Sequence, residues 1–380
     1  MSRLETPVAP RAQRDETSPA GAQNAVPAAS TPLPRRSKRA VRAAIAAAVL
    51  GVAVLGVVLL SATVGQFAAT PGEVIDAFVG VVFGGADPNA TRAGAVLWQI
   101  RFPRAALGLL AGACLAVAGA VMQGVFANPL AEPSIIGVNS GASIGATTVI
   151  VFGFAAAAPW MLPIAAFAGA IVVTLVVWAL ARTGGKAAVL TLVLTGIAIN
   201  AISTAVTSFL IFLGDTSSRE QVIFWQLGTL ADANWPAVAM IAGVFVLGFA
   251  GCLAIRRPLD VLALGDTSAA ASGVHVERVR IAAILLSCLL TGVAVAFGGM
   301  IAFVGLIVPH ALRLIVGPSH RHLVPLSALG GAVLLGLADI AARTLVPFAD
   351  LPIGIFTALV GGPLFLVLLR RTLRGQGARA

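Results

Sequence analysis

Few side chains in this sequence could take part in nucleotide or acid–base chemistry. The segment Gly184-Gly185-Lys186 comes nearest to a phosphate-binding loop. However, Leu180 stands where such a loop has its first glycine, and Ala187 where it has a metal-binding hydroxyl. No Ser-His-Asp set or pair of carboxylates suggests an enzyme of another kind. We therefore expect a chain that is not an enzyme and does not hydrolyse ATP itself.

Histidine and cysteine, the usual ligands of transition metals, are also scattered. His310 has no Cys, Asp, Glu or second His at ligand spacing, and His320 and His322 lie two residues apart in a basic loop. The three cysteines fall in apolar runs at unrelated spacings: Cys114, Cys252 and Cys288. We interpret the histidines and cysteines as packing residues, and expect neither a metal site nor a cofactor.

Uncharged polar side chains are concentrated in one apolar segment, residues 187–213. They recur mostly three to five residues apart, which favours one side of an α-helix. They are Thr191, Thr195, Asn200, Ser203, Thr204, Thr207 and Ser208. Such a stripe can bond to neighbouring helices, at about 0.6 kcal/mol for each hydrogen bond, or it can line the route of a polar solute.

The elements that carry these residues must be membrane helices. Of the 380 residues, 58% are hydrophobic and 11% are charged, and the mean hydropathy is +0.98. A soluble domain has about 25% charged residues, so this chain cannot cover a surface that faces water. The net charge of +10 does not indicate nucleic acid, because the basic residues lie in short clusters between apolar runs.

We predict an all-α, polytopic membrane protein, because a spanning helix needs about 20 apolar residues. The ten predicted spans are residues 43–68, 102–125, 136–155, 160–181, 187–213, 236–255, 279–299, 302–316, 323–344 and 352–370. The distribution of Arg and Lys between the loops places both termini in the cytoplasm. Residues 1–40 are predicted to be a disordered cytoplasmic tail, 41–372 the membrane domain, and 373–380 a basic cytoplasmic tail.

Residues 101–145 combine closely spaced glycines with two breaks at proline. The glycines recur at four-residue spacing: Gly108 and Gly112, then Gly137, Gly141 and Gly145. This spacing allows two helix backbones to approach each other without side chains between them. Asn128-Pro129 and Glu132-Pro133 should end the helix, because proline removes a donor and restricts the residue before it.

Further motifs follow in order along the chain. They are FWQLG at 224–228, LALGD at 262–266 with ASGV at 271–274, IAFVGLIVPH at 301–310 and LPIG at 351–354. Together with residues 101–145, they resemble the FecCD (BtuC-like) family of ABC-importer permeases over about residues 45–371. That family takes up iron–siderophore complexes, haem or vitamin B12. The resemblance implies a permease, with an iron–siderophore complex as the favoured cargo.

The resemblance further implies that the outer helix ends receive a periplasmic or lipid-anchored substrate-binding protein. Arg101, Arg104 and Arg343 stand where family members present arginines to that partner. Ordinary interfacial arginines are the alternative. Asp339 lies four residues before Arg343, so the two could pair. Replacing Arg101 and Arg104 by Glu is expected to abolish uptake while the chain remains inserted and stable.

In the family, the inner loop that corresponds to residues 256–280 couples the permease to its ATPase. Gly265 and Gly273 bracket a segment long enough for a short helix, with Asp266 as the predicted N-cap. A solvated connector is the alternative. The coupling residues implied are Leu264, Gly265, Asp266, Ala271 and Gly273.

The fifth helix of family members lines the central route, which favours the pathway interpretation of the polar stripe. The residues implied are Thr191, Thr195, Asn200, Thr204, Thr207 and Ser208. The proline breaks are assigned to the part of the permease that moves on the cytoplasmic side, where they would form a gate. Its residues would be Asn128, Pro129, Pro133, Gly137 and Gly141.

The implied assembly contains two ABC-type ATPase subunits, the binding protein and a second permease, identical or homologous. It would lie among lipids in the cytoplasmic membrane of a bacterium, without nucleic acid. A haem or vitamin B12 permease stays open, as does a membrane receptor or structural subunit without transport. A transporter driven by an ion gradient is a further alternative, although Asp339 and Arg343 are its only clear intramembrane ionisable candidates.

Overall fold

The computed structural model describes residues 36–65, 67, 69–183, 186–187, 189–346 and 348–377. Most of the predicted N-terminal tail, the last three residues of the predicted C-terminal tail, and Gly184 and Gly185 lie outside the described residues. Within this part the chain is helical apart from one hairpin, which confirms the all-α class.

The first half of the chain runs from the first long helix to a small hairpin. Its helices are α1 (Arg36–Thr63), α2 (Pro71–Val82), α3 (Arg92–Val96), a π-helix (Leu97–Arg101), α4 (Phe102–Val125), a 3₁₀ helix (Pro133–Ile136), α5 (Val138–Val151), α6 (Phe154–Ala157) and α7 (Met161–Leu180). The strands β1 (Arg182–Thr183) and β2 (Lys186–Ala187) then pair antiparallel.

The second half is entirely helical among its described residues. It comprises α8 (Val189–Leu213), α9 (Thr216–Leu227), α10 (Trp235–Ala254), α11 (Arg256–Leu262), α12 (Asp266–Ala271), α13 (Val276–Gly298), α14 (Val304–Val316), α15 (His320–Thr344) and α16 (Ile353–Gly377). The last helix therefore continues past residue 372, where the membrane domain was predicted to end.

Seven helices in the described part of the chain are long and apolar enough to cross a membrane. They are α1, the continuous helix Arg92–Val125, α7, α8, α10, α13 and α15. Shorter apolar helices lie at Val138–Val151, Val304–Val316 and Ile353–Val367. Each predicted span coincides with one of these helices. That ten of them cross the bilayer, with both termini inside, stays a prediction.

Helix α4 lies at the centre, where glycines let it touch two other helices through its backbone. A Cβ atom added at Gly112 would lie 2.1 Å from the carbonyl oxygen of Gly331 in α15. One added at Gly119 would lie 1.8 Å from the oxygen of Gly305 in α14. These helices therefore pack without intervening side chains, as the spacing of small residues predicts for Gly112.

Helices α5 and α7 are joined in the same way. A Cβ atom at Gly141 would lie 2.1 Å from the oxygen of Gly169, and one at Gly145 the same distance from the oxygen of Ala165. Helix α13 packs against both α4 and α7 and so connects the two groups. By contrast, α1, α8 and α16 expose many large apolar side chains, as surfaces facing lipid or another membrane subunit do.

The long segment before α4 contains a short helix with a capping box at its start. Thr70 and Glu73 form a capping box at the start of α2: the Glu73 carboxylate accepts from the Thr70 N–H at 2.7 Å, and the Glu73 N–H donates to the Thr70 hydroxyl. Trp235 donates from Nε1 to the carbonyl of Trp98 at 2.9 Å. This bond ties the start of α10 to the segment before α4.

Candidate functional site

A polar cavity of about 210 Å³ lies between α5 and α8. Its polar lining combines the C-terminal part of the predicted stripe, in α8, with residues from α5 and α9. The lining side chains are Asn139, Ser140, Ser143, Asn200, Ser203, Thr204, Thr207, Ser208 and Gln226. None of them is charged. The wall can therefore hydrogen-bond to a solute that slides past without binding an ion strongly.

The structure separates the predicted stripe into two groups. Asn200, Thr204, Thr207 and Ser208 line the cavity, whereas Thr191 and Thr195 do not. The reason is helical geometry: a step of five residues from Thr195 to Asn200 turns the helix by about 140°, so the first two threonines face another direction. The pathway role of the stripe stays a prediction.

The polar residues of α5 were missed, because the sequence was interpreted there only through its glycines. Ser140 donates to the Asn200 amide oxygen at 2.6 Å, and Gln226 donates to the Ser143 hydroxyl at 3.3 Å. The triplet Asn139, Ser140 and Ser143 has the spacing of one helix face. That spacing was the signal available in the sequence.

At the predicted outer end, two arginines are bonded to the end of α1 and the residues just after it. Arg101 donates to the carbonyl oxygens of Ala62 and Phe67. Arg343 donates to the oxygens of Val64 (2.8 Å) and Ser61 (2.6 Å). A helix leaves its last carbonyls without partners, and basic side chains stabilise them. Arg101, at the end of the π-helix, and Arg343 of α15 therefore cap α1.

The third predicted docking residue, Arg104, is part of a buried ion-pair network. Its Nε lies 2.9 Å from Asp339 and its NH1 2.8 Å from Asp350. Asp339 also pairs with Arg343 at 3.5 Å, as the four-residue spacing predicts, and it is 2% exposed. Arg101, Arg104, Arg343, Asp339 and Asp350 are called the outer charge network below. Asp350 is exposed, but the bonds that the three arginines make within the chain give each of them an internal role. Docking stays a prediction.

The predicted inner connector contains two short helices, α11 and α12. The sequence predicted the second one, but placed its start one residue late. Gly265, with φ of +105°, is the N-cap, and Asp266 is the first helical residue. The Asp266 carboxylate is bound by Arg280 at 2.7 Å instead of capping the helix. Gly273, with φ of +79°, follows the end of α12.

The connector combines an anchored helix with an exposed apolar side chain. Asp260 in α11 accepts from the backbone N–H of His320 at 2.7 Å and contacts the His320 Nδ1 at 2.6 Å. Burial alone would raise the pKa of Asp260, but the hydrogen bonds from His320 outweigh it and lower the pKa. Leu264, between the two helices, is 74% exposed. An exposed leucine on a fixed support is suited to binding another protein.

The predicted gate lies between α4 and α5. The side-chain oxygen of Asn128 accepts from the N–H of Leu130 at 3.0 Å, and Gly137 has a φ of +81°. A Cβ atom at Gly196 of α8 would lie 1.9 Å from the oxygen of Ile135, so the break touches the helix of the polar stripe. Glu132, which sequence reasoning named only as part of the break, accepts from the Phe303 N–H at 3.3 Å. Movement at this break stays a prediction.

Comparisons with known proteins agree with this arrangement. The model of the FecCD transport family matches residues 36–371. The cobalamin import system permease protein BtuC of Halobacterium salinarum is 44% identical over 72% of this chain and 73% of its own. The hemin transport system permease protein HmuU of Yersinia pestis is 41% identical over 72% of this chain and 83% of its own.

A solved structure has the same fold. It is described as an inward-facing conformation of a metal-chelate type ABC transporter, and it is 32% identical in sequence to this chain. The TM-score is 0.74, and the match covers 85% of this chain and 97% of the solved one.

Proposed function

Because this chain belongs to the FecCD transport family of ABC-importer permeases, we propose that its cargo is a metal chelate, meaning a metal ion enclosed in a bulky organic ligand. An iron–siderophore complex is the member that the sequence resemblance favours. Two relatives are named as cobalamin and hemin permeases, so these chelates are the alternatives. A structural neighbour of 32% identity is described as a metal-chelate type transporter.

The observation that carries the proposal is the uncharged polar wall between α5 and α8. Its hydroxyl and amide groups can exchange hydrogen bonds with the periphery of a chelate, while the enclosed metal needs no protein ligand. Among the described residues, no group of three or more His, Cys, Asp or Glu could hold a metal ion. A bare metal ion would therefore find no coordinating site along the described part of the route.

We assign the energy source to a separate ATPase that binds the connector formed by α11 and α12. A substrate-binding protein would deliver the cargo at the outer end, and a second permease would complete the central route, in the cytoplasmic membrane of a bacterium. The outer charge network supports this over an ion-driven mechanism. Asp339, the main candidate for proton or ion binding, is bonded to Arg104 and Arg343.

The test is uptake into vesicles that contain the permease with its ATPase and binding protein. Ferric siderophore, haem and cobalamin are offered separately, and ATP is supplied on the cytoplasmic face. We expect uptake of one chelate that survives collapse of the ion gradient and stops when the ATPase cannot hydrolyse ATP. Uptake of free metal ions, or uptake without the ATPase, would contradict the proposal.

A matched pair of variants tests the passage itself. Thr204→Leu places an apolar side chain on the cavity wall and should slow uptake about tenfold, which corresponds to about 1.4 kcal/mol in the barrier. Thr195→Leu makes the same change on the same helix away from the cavity and should leave uptake unchanged. Equal rates in the two variants would remove the cavity from the route.

A further inference from the structure

A second cavity, of about 390 Å³, lies at the inner end of α1 and is separate from the polar passage. Five segments contribute to its wall: α1, the end of α4, the break after it, α11 and the junction of α14 with α15. Its polar and charged lining consists of Arg39, Gln123, Asn128, Asp260, Arg313 and Ser319. Two arginines thus converge on one space from helices that are far apart in sequence.

The positive charge in this cavity is only partly satisfied. Arg313 donates from NH2 to the Gln123 side-chain oxygen at 3.2 Å, and its buried Nε has no hydrogen-bond partner among the residues that the structure describes. A Cβ atom at Gly317 would lie 3.7 Å from the guanidinium of Arg39, which is otherwise exposed. That Nε is enclosed by protein, but the guanidinium groups of Arg39 and Arg313 both line the cavity, so a ligand with acceptor oxygens could bond to their outer N–H groups.

Asp260, the one carboxylate in the described wall, already has hydrogen-bond partners. Asp260 accepts from the His320 N–H, contacts the His320 ring and accepts from the Ser319 hydroxyl at 3.0 Å. The oxygens of Asp260 are therefore already bonded to residues at the edge of the cavity. The remaining unsatisfied groups are guanidinium N–H donors, which match the geometry of phosphate oxygens.

The position of the cavity identifies the source of such a phosphate. Arg39 stands at the cytoplasmic start of the first span, next to the exposed Lys38 and Arg42. Basic residues in this position attract the anionic lipids of the inner leaflet. We propose that the cavity binds the phosphate headgroup of an anionic phospholipid, held between Arg39 and Arg313, with the acyl chains along the exposed face of α1.

This site would link lipid composition to the connector. Ala263 and Leu264, which lead into α12, also line the cavity. A bound headgroup therefore fills the space behind the connector and limits its movement towards α4. The proposal does not depend on which cargo the chain carries.

The test uses the full chain in nanodiscs of phosphatidylcholine, with and without phosphatidylglycerol. Native mass spectrometry measures the retained lipid, and thermal unfolding measures its stabilising effect. We expect retention of phosphatidylglycerol to fall about fivefold in Arg39→Gln and again in Arg39→Gln/Arg313→Gln, which is the contribution of about 1 kcal/mol for each basic residue. Since Arg39 is exposed, the single variant should fold normally.

The matched control is Arg321→Gln, which removes an exposed arginine of the same inner surface that does not line the cavity. It should retain phosphatidylglycerol as the wild type does. Equal losses in the control and the single variant would reduce the effect to general surface charge and overturn the site. Stabilisation by inorganic phosphate in detergent, equal to that by the lipid, would replace the lipid by a free anion. Weaker ATPase binding by Arg39→Gln, with phosphatidylglycerol retention unchanged, would assign the arginines to the ATPase and overturn the lipid site.

Discussion

At the predicted outer end of this chain, Arg101, Arg104 and Arg343 are bonded to backbone carbonyls or to carboxylates of the same chain. At the predicted inner end, Arg39 of α1 and Leu264 of the connector are exposed. Both sets of residues are of the kind expected of a surface that binds a partner. The three arginines are turned into the chain, whereas Arg39 and Leu264 face outwards.

The contrast separates two uses of the same residue type. A guanidinium that caps a helix or neutralises a buried carboxylate contributes to folding, and its loss leaves a costly unpaired group. An exposed side chain contributes little to folding, and its loss is felt when a partner binds. The outer end should therefore respond to substitution through stability, and the inner end through association with the ATPase.

The largest effect is expected for Arg104→Met. It leaves Asp339 buried with only the longer contact to Arg343, and removal of one partner of a buried pair costs about 3–5 kcal/mol. The free energy of unfolding in detergent measures this loss. The control Arg278→Met, at an exposed position of the inner loop, should stay within about 0.5 kcal/mol of the wild type. A stable Arg104→Met variant would show that the outer network is not structural.

The same geometry changes an expectation drawn from sequence. Replacing Arg101 and Arg104 by Glu was predicted to leave the chain stable, on the premise that both arginines face a partner. Both are in fact buried, at 6% and 8% exposure. A glutamate at position 104 would lie beside Asp339 and Asp350, so we expect the double variant to lose stability as well as uptake.

A second substitution tests whether close backbone packing, in addition to the ion pairs, holds α4 in place. Gly119→Ala places a Cβ atom 1.8 Å from the Gly305 oxygen, and overpacking of this kind costs up to about 3 kcal/mol. Gly243→Ala makes the same change in α10, where nothing lies within 4 Å. That control should be neutral or stabilise its helix by about 1 kcal/mol. Thermal unfolding compares the two, and similar melting curves would argue against backbone contact at Gly119.

For the inner end, Leu264→Asp should leave the free energy of unfolding unchanged and weaken ATPase binding. An interface residue that dominates binding contributes about 2 kcal/mol or more, which is about a 30-fold loss of affinity. Leu345→Asp, at an exposed leucine of the other end, is the control. Titration of labelled ATPase against the permease in nanodiscs measures both. Wild-type affinity in Leu264→Asp would move the coupling site elsewhere.

The smallest effect is expected for Asp266→Asn. The pair with Arg280 is largely exposed on the aspartate side, at 60%, and such pairs contribute about 0.2–1 kcal/mol. Glu277 remains near Arg280 at 3.6 Å in the variant. Hydrogen exchange of the α12 amides should therefore rise only slightly. A large increase would indicate that this pair, and not the packing of α11, holds the connector.

Sequence reasoning located the helices because the signal for a span is local. An apolar run of sufficient length needs no partner to be recognised, and the short helix after Gly265 was likewise predicted from two nearby glycines. The close contact at Gly112 followed from spacing along one helix. These features depend on residues that are near one another in the chain.

The network at the outer end could not be predicted in the same way. Arg104 contacts Asp339 and Asp350, which lie 235 and 246 residues further along the chain. Whether an arginine at a helix end faces water or a buried carboxylate depends on how distant helices pack. The Asp339–Arg343 pair, four residues apart on one helix, was within reach of the sequence. For the cavity between α5 and α8, the sequence predicted the polar residues of α8 but not those of α5.

Helix α1 is bonded to its neighbours at its predicted outer end, by Arg101 and Arg343, and exposes most of its apolar surface. Its most apolar stretch is 11% buried. At 1.5 Å per residue, the part from Ala43 to Thr63 is about 32 Å long, close to a hydrocarbon core of about 30 Å. A thinner bilayer should therefore tilt the helix and pull on the bonds of Arg101 and Arg343 at its end. We expect the chain to unfold at a lower temperature in bilayers of short-chain lipids, which makes membrane thickness a quantity that this permease senses through its first helix.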